Sequence, residues 1–153
     1  MSGSVALFGT SADPPTVGHR AVLEALALRY GLVATWASDN PLKRHGAPLA
    51  LRADLLGRVV TALGDPRVTL VQALSSPWAI DTLAAAAQHW PRRQRVLVVG
   101  SDLVAQIPSW RAAETLVPQL QLAVIPRQGW PLLPDDLERL RQLGARLEVL
   151  PLE

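Results

Sequence analysis

The sequence predicts an α/β fold: a parallel sheet covered by helices on both faces. Three observations predict it. Strand-like and helix-like runs alternate along all 153 residues, the pattern of strands joined by right-handed helical crossovers. The strand-like runs are continuous apolar stretches, Arg95-Val96-Leu97-Val98-Val99 foremost, as expected of strands buried on both sides. Two of them end in glycine followed by small polar residues, Gly9-Thr10-Ser11 and Gly100-Ser101-Asp102. In open parallel sheets ligands lie beyond the carboxyl ends of strands, where the strand order reverses. The first and fourth strands are therefore expected to be neighbours, with a site opening between their ends.

The elements follow in order. Val5, Ala6, Leu7 and Phe8 read as the first strand, and residues 17–30 as a long helix. Leu32 to Ala37 is a second strand, followed by a polar loop from Ser38 to Pro48. Residues 50–63 carry Leu51, Leu55, Val59 and Leu63 at helical spacing, which predicts a helix with that stripe inward. Residues 68–71 are a short third strand, residues 75–78 a loop, and residues 80–90 a helix. The strongest strand, residues 95–99, ends at Gly100, and helical patterns broken by Pro108 and Pro118 follow it. Residues 121–125 form a fifth strand. Residues 134–143 form a helix with Asp135 and Asp136 in its first turn, where the macrodipole favours them. Residues 146–150 form a last strand. No internal repeat or linker interrupts the series, so one domain over residues 1–153 is expected.

Composition narrows the function classes. Hydrophobic residues make up 49% of the chain, enough for a real core. No apolar run approaches the roughly 20 residues that span a bilayer, and the N-terminus lacks signal-peptide features. Cysteine is absent, which excludes disulfides, thiolate metal ligands and a thiol nucleophile, and fits a cytoplasmic location. The net charge is only +2 although the pI is about 9.9, because 14 of the 15 basic residues are Arg. Their one cluster is Arg92, Arg93 and Arg95, too sparse for a nucleic-acid stripe.

The stretch Gly9-Thr10-Ser11-Ala12-Asp13-Pro14-Pro15-Thr16-Val17-Gly18-His19 joins the first strand to the first helix. Free N–H groups and the positive end of the dipole make such a helix start an anion site. Gly18 lets an anion approach the backbone, and His19 can donate from a ring nitrogen. The same residues also serve as ordinary loop and helix-start signals.

This stretch resembles the GTFDPxHxGH signature of the HxGH/TxGH nucleotidyltransferases. Gly9, Thr10, Asp13, Pro14, Gly18 and His19 match; Ala12 replaces the usual aromatic and Thr16 the first His. Asn40-Pro41-Leu42-Lys43, which holds the only lysine, resembles the NPxK loop of the nicotinate-mononucleotide and phosphopantetheine branches. Trp78-Ala79-Ile80-Asp81-Thr82-Leu83 resembles the YTxDTL segment of the nicotinate branch. Gly100-Ser101-Asp102-Leu103 with Trp110 resembles its GxDxLxxLxxW segment, and Ile125-Pro126-Arg127-Gln128-Gly129 its strand-RPG ending. Together these segments cover nearly the whole chain and resemble the nicotinate-nucleotide adenylyltransferase family.

The resemblance implies a Rossmann-like fold and a reaction: ATP and nicotinate mononucleotide give deamido-NAD and pyrophosphate, with Mg²⁺ bound through the nucleotide phosphates rather than by a protein cage. His19, Thr16 and Lys43 would carry catalysis by meeting phosphate charge. Gly9, Thr10, Gly18, His19, Gly100 and Asp102 would hold ATP. Asp81, Thr82, Trp110 and Arg127 would line the substrate side, Arg127 serving either a phosphate or a backbone carbonyl. Residue by residue, plainer readings stand beside these: helix capping for Asp81 and Thr82, core packing for Trp110, a surface loop for Lys43 and His45. The family continues into an ISSTxxR segment after its last strand, whereas this chain stops at Pro151-Leu152-Glu153. The expectation is a shortened chain or an incomplete site. Phosphopantetheine adenylyltransferase, nicotinamide mononucleotide as the acceptor, and a non-catalytic nucleotide-binding paralogue are the alternatives. Neither nucleic acid nor membrane is expected as a partner, and the oligomeric state is left open.

Overall fold

The computed structural model describes residues 3–12, 15–38 and 46–151. Its strands are β1 (Ser4–Thr10), β2 (Val33–Ala37), β3 (Val68–Leu70), β4 (Gln94–Gly100), β5 (Gln121–Ile125) and β6 (Arg146–Val149). Its helices are α1 (Val17–Tyr30), α2 (Leu49–Leu63), α3 (Ala79–His89), α4 (Ala113–Leu116) and α5 (Pro134–Gln142). The sheet is six-stranded in the order β3-β2-β1-β4-β5-β6, a Rossmann-like order. The chain divides into two compact units, one with β1 to β3, α1, α2 and most of α3, the other with most of β4 and all that follows.

In the first unit β1 pairs in parallel with β2, with Gly9 opposite Trp36 and Thr10 opposite Ala37. Val5, Ala6 and Leu7 are fully buried, and all five residues of β2 are buried. Helix α1 covers its neighbours with Leu23, Leu26, Ala27 and Tyr30, an i, i+3, i+4, i+7 stripe. It ends at Gly31, whose φ of 83° suits glycine. Gln72 finishes β2 as a strand would: its side-chain oxygen accepts from the Ala37 N–H at 2.9 Å and its amide nitrogen donates to the Ala37 carbonyl at 2.8 Å.

Helix α2 differs from its sequence expectation. Its inward positions are Arg52 and Leu56, while Leu51 is about half exposed. The stripe is turned by one residue because a buried guanidinium, rather than a leucine, occupies the inward position of its first turn.

In the second unit β4, β5 and β6 run parallel, with Gly100 opposite Ile125 and Val124 opposite Val149. Val96 to Val99 and Leu122 to Ile125 are buried. The segment after β4 is a 3-10 helix over Ser101–Ser109 containing Pro108, not an α-helix. Helix α5 starts at Pro134, carries Asp135 and Asp136 in its first turn and Arg139 and Arg141 in its last, an arrangement that complements its dipole at both ends.

Candidate active site

The first unit builds a polar cluster where β1 meets α1. Thr16 caps α1 in extended backbone conformation, and the helix has no acidic residue in its first turn. The positive end of its dipole is therefore not offset from within that turn. The Thr16 backbone N–H donates to Nδ1 of His19 at 2.8 Å, and the Thr16 hydroxyl oxygen lies 3.1 Å from the same nitrogen. Because Nδ1 accepts a backbone N–H, the proton of the neutral imidazole sits on Nε2. Nε2 is 2.8 Å from Oγ1 of Thr10, at the end of β1. Thr10 Oγ1 also accepts from the Ala12 N–H at 3.4 Å. An oxygen that accepts from both sides keeps its own hydrogen for donation. Strand end, helix cap and imidazole thus form one fixed donor array.

Ala12, just beyond, is fully buried at a φ of +48°, a conformation that costs a non-glycine residue about 1 kcal/mol or more. The bend sets the exit of the chain from β1. Gly9 and Gly18, both expected at the nucleotide, differ in what they face. A Cβ on Gly9 would stand 2.6 Å from Nε1 of the buried Trp36, so packing alone demands glycine there. A Cβ on Gly18 would meet only the Thr16 hydroxyl, at 3.4 Å. No such demand exists at Gly18, which is exposed at the helix start.

Asp81 and Thr82 begin α3. Asp81 is exposed and receives a long 3.5 Å contact from the Ser76 hydroxyl. Thr82 is buried, and its hydroxyl donates to the Leu74 carbonyl at 2.7 Å. Its side chain fixes the preceding loop. Lys43, with Asn40, Pro41, His45, Asp13 and Pro14, lies outside the described residues.

The second unit gathers Gly100, Ser101, Asp102 and Arg127 after β4 and β5. Nη1 of Arg127 pairs with Oδ2 of Asp102 at 3.0 Å, and the Arg127 N–H donates to the buried Ser101 hydroxyl at 2.8 Å. A Cβ on Gly100 would run into the Asp102 carboxylate and into Cδ of Arg127 at 2.8 Å. Glycine lets this ion pair close over the strand end. Trp110 is half-buried. The Arg111 guanidinium stacks on Trp78, 4.5 Å from the ring centroid, a cation–π contact absent from the sequence expectations.

One further residue escaped the sequence reading. Arg52 is 1% exposed, and among its contacts are three backbone carbonyls: Nε donates to Ala47 at 2.9 Å, and Nη1 to Ser11 at 2.8 Å and Ser38 at 2.7 Å. Its signal in the sequence was a second helical phase in α2, running 52, 56, 59 and 63, with an arginine where the competing phase has a leucine.

The cytidylyltransferase-like family profile matches residues 7–140. A Synechocystis protein described as a probable nicotinate-nucleotide adenylyltransferase is 39% identical over 156 residues, covering 95% of this chain and 78% of its own length. The chain belongs to the nicotinate-nucleotide adenylyltransferase family. A Ruegeria pomeroyi protein of the same description is 33% identical, over 82% of this chain and 61% of its own length. The fold is shared with Plasmodium falciparum nicotinic acid mononucleotide adenylyltransferase complexed with NaAD, at a TM-score of 0.78 and 19% identity over 97% of this chain and 75% of that one. It is shared too with the same Plasmodium enzyme complexed with APC, at a TM-score of 0.74. This adenylyltransferase-family chain is accordingly a nucleotidyltransferase with a Rossmann-like sheet. Among its described residues no helix is long and apolar enough to cross a membrane.

Enzymes of this family typically use a divalent metal. Among the described residues no three His, Asp or Glu side chains stand close enough to hold one.

Proposed function

We propose that this chain transfers the adenylyl group of ATP to nicotinate mononucleotide, releasing pyrophosphate and forming deamido-NAD. The observation that carries the reading is the donor array of Thr10, Thr16 and His19 at an acid-free helix start, in a chain 39% identical to a described member of the family. An oxygen of the mononucleotide's 5′-phosphate attacks the α-phosphorus of ATP. The bond from that phosphorus to the bridging oxygen breaks, and the electron pair leaves with pyrophosphate. The attacking oxygen is already anionic at neutral pH, so neither a general base nor a covalent intermediate is required. What remains is positioning and neutralisation of charge.

The Thr10 hydroxyl, held by the imidazole Nε2–H of His19, donates to a phosphate oxygen beside the first N–H groups of α1. Gly18 leaves that helix start open to the phosphate. Thr16 acts mainly through His19, by holding its ring and tautomer. Lys43 adds a point charge. Asp102 and Gly100 serve the adenosine end, with Arg127 holding Asp102 in place; Trp110 and Asp81 serve the nicotinate end. Mg²⁺, bound through phosphate oxygens, would supply further neutralisation of the leaving pyrophosphate. A cytoplasmic location belongs to the same reading.

The test is product identification after incubating the protein with ATP, Mg²⁺ and one acceptor at a time. Deamido-NAD from nicotinate mononucleotide, at a kcat/KM well above those for nicotinamide mononucleotide and phosphopantetheine, supports the proposal. Preferred use of either other acceptor, or ATP binding without turnover on any, refutes it.

A further inference from the structure

We infer that Arg52 is a positioning residue for the β1–α1 donor array, an inference that rests on the proposed role of that array in binding ATP phosphates. Burying a guanidinium is costly, and an apolar residue at the same inward position of α2 would pack without that cost. Arg52 is instead buried to 1% exposure and aims its planar fork at backbone carbonyls from separate segments. A single nitrogen, Nη1, bridges Ser11 after β1 and Ser38 after β2, at 2.8 and 2.7 Å. The Ser38 N–H in turn donates to the Thr10 carbonyl at 2.7 Å. Both arms therefore converge on Thr10: one through the residue bonded to it in the chain, the other through Ser38. Thr10 is the residue whose hydroxyl meets Nε2 of His19. Nε, on the Ala47 carbonyl, anchors the fork just ahead of its own helix.

The arrangement needs the geometry of arginine, not just its charge. Two donors diverging from one rigid plane hold carbonyls in different directions, and a lysine ammonium on a flexible stem does not reproduce that fork. Loss of the fork frees Ser11 and Ser38 to move. A shift of about 1 Å in a phosphate-positioning group costs on the order of a hundredfold in rate.

The test compares wild type, Arg52→Lys and Arg52→Met by two readouts. The first is steady-state kinetics with ATP and nicotinate mononucleotide varied separately. The second is amide hydrogen exchange of the nucleotide-free protein at Ser38, with Val98 in β4 as the internal reference. The expected result in Arg52→Lys is a fall of at least about tenfold in kcat/KM for ATP, a smaller change in KM for the mononucleotide, and faster exchange at Ser38 with Val98 unchanged. Arg52→Met should show the same pattern, more strongly; if it fails to fold, Arg52→Lys decides alone. Wild-type ATP kinetics and wild-type Ser38 exchange in Arg52→Lys overturn the inference. Faster Ser38 exchange without loss of ATP use overturns it too, since Arg52 would then support the loop alone. If wild type itself forms no product with any acceptor, the proposed function fails. The inference is then decided by Ser38 exchange together with the affinity for ATP–Mg²⁺ measured by calorimetry.

Discussion

The backbone N–H of Thr16 donates to Nδ1 of His19 at 2.8 Å. A helix cap therefore decides which nitrogen of the ring faces Thr10. Long-range ¹H–¹⁵N spectra should show an unprotonated, accepting Nδ1 and a protonated Nε2 in the neutral ring. Thr10→Val removes the hydroxyl on which Nε2 rests. It should lower kcat by about 10²-fold, the scale seen on losing one preorganised donor to developing charge, while the protein still folds by circular dichroism.

Gly9 and Gly18 should separate packing from function. Gly9→Ala places a methyl 2.6 Å from the indole of Trp36, which is only 4% exposed. It should destabilise the fold by about 1–3 kcal/mol, as overpacking does, read as a lower thermal midpoint. Gly18→Ala meets nothing closer than 3.4 Å and replaces glycine with the best helix former. It should leave stability equal or raised by up to about 1 kcal/mol, yet raise KM for ATP by crowding the helix start.

The Asp102–Arg127 pair is more than half exposed on the arginine side. Exposed pairs contribute at most about 1 kcal/mol. Asp102→Asn should therefore change the thermal midpoint little and in a salt-dependent way. Its larger effect should fall on KM for ATP, measured at fixed ionic strength.

In the turn from α2 to β3, Arg67 holds Asp65 through Nε at 3.0 Å, Nη2 at 2.8 Å and its backbone N–H at 2.9 Å. Chiefly the side-chain hydrogen bonds from Arg67 lower the Asp65 pKa from 3.8 to about 2. Folding thus favours the ionised form. The contribution of this turn to stability is complete above pH 4 and is lost as the pH falls through about 2. A carboxyl-carbon titration should place the Asp65 midpoint near 2, and Arg67→Ala should return it towards 3.8.

The apolar runs marked out β1, β2, β4 and β5 because each is buried on both faces over most of its length, from Val5-Ala6-Leu7 to Leu122-Ala123-Val124. The β1–α1 array was legible because a helix start has a local chemistry that short motifs record. Arg52 was not, because binary patterning assigns inward positions to apolar residues, and only tertiary structure brings the carbonyls of Ser11 and Ser38 to one nitrogen. The partner of the Thr82 hydroxyl was hidden for the same reason: its acceptor, the Leu74 carbonyl, is not marked by any pattern in the chain. After β4, the helical pattern that Pro108 was expected to break runs through it as a 3-10 helix.

The most direct test of the central claim, that His19 serves adenylyl transfer, is pyrophosphate release from ATP and nicotinate mononucleotide by wild type and by His19→Ala. The account expects release that depends on the mononucleotide, and a fall in kcat of about 10²-fold or more in a variant with an unchanged circular dichroism spectrum. Near-wild-type turnover in His19→Ala would contradict it.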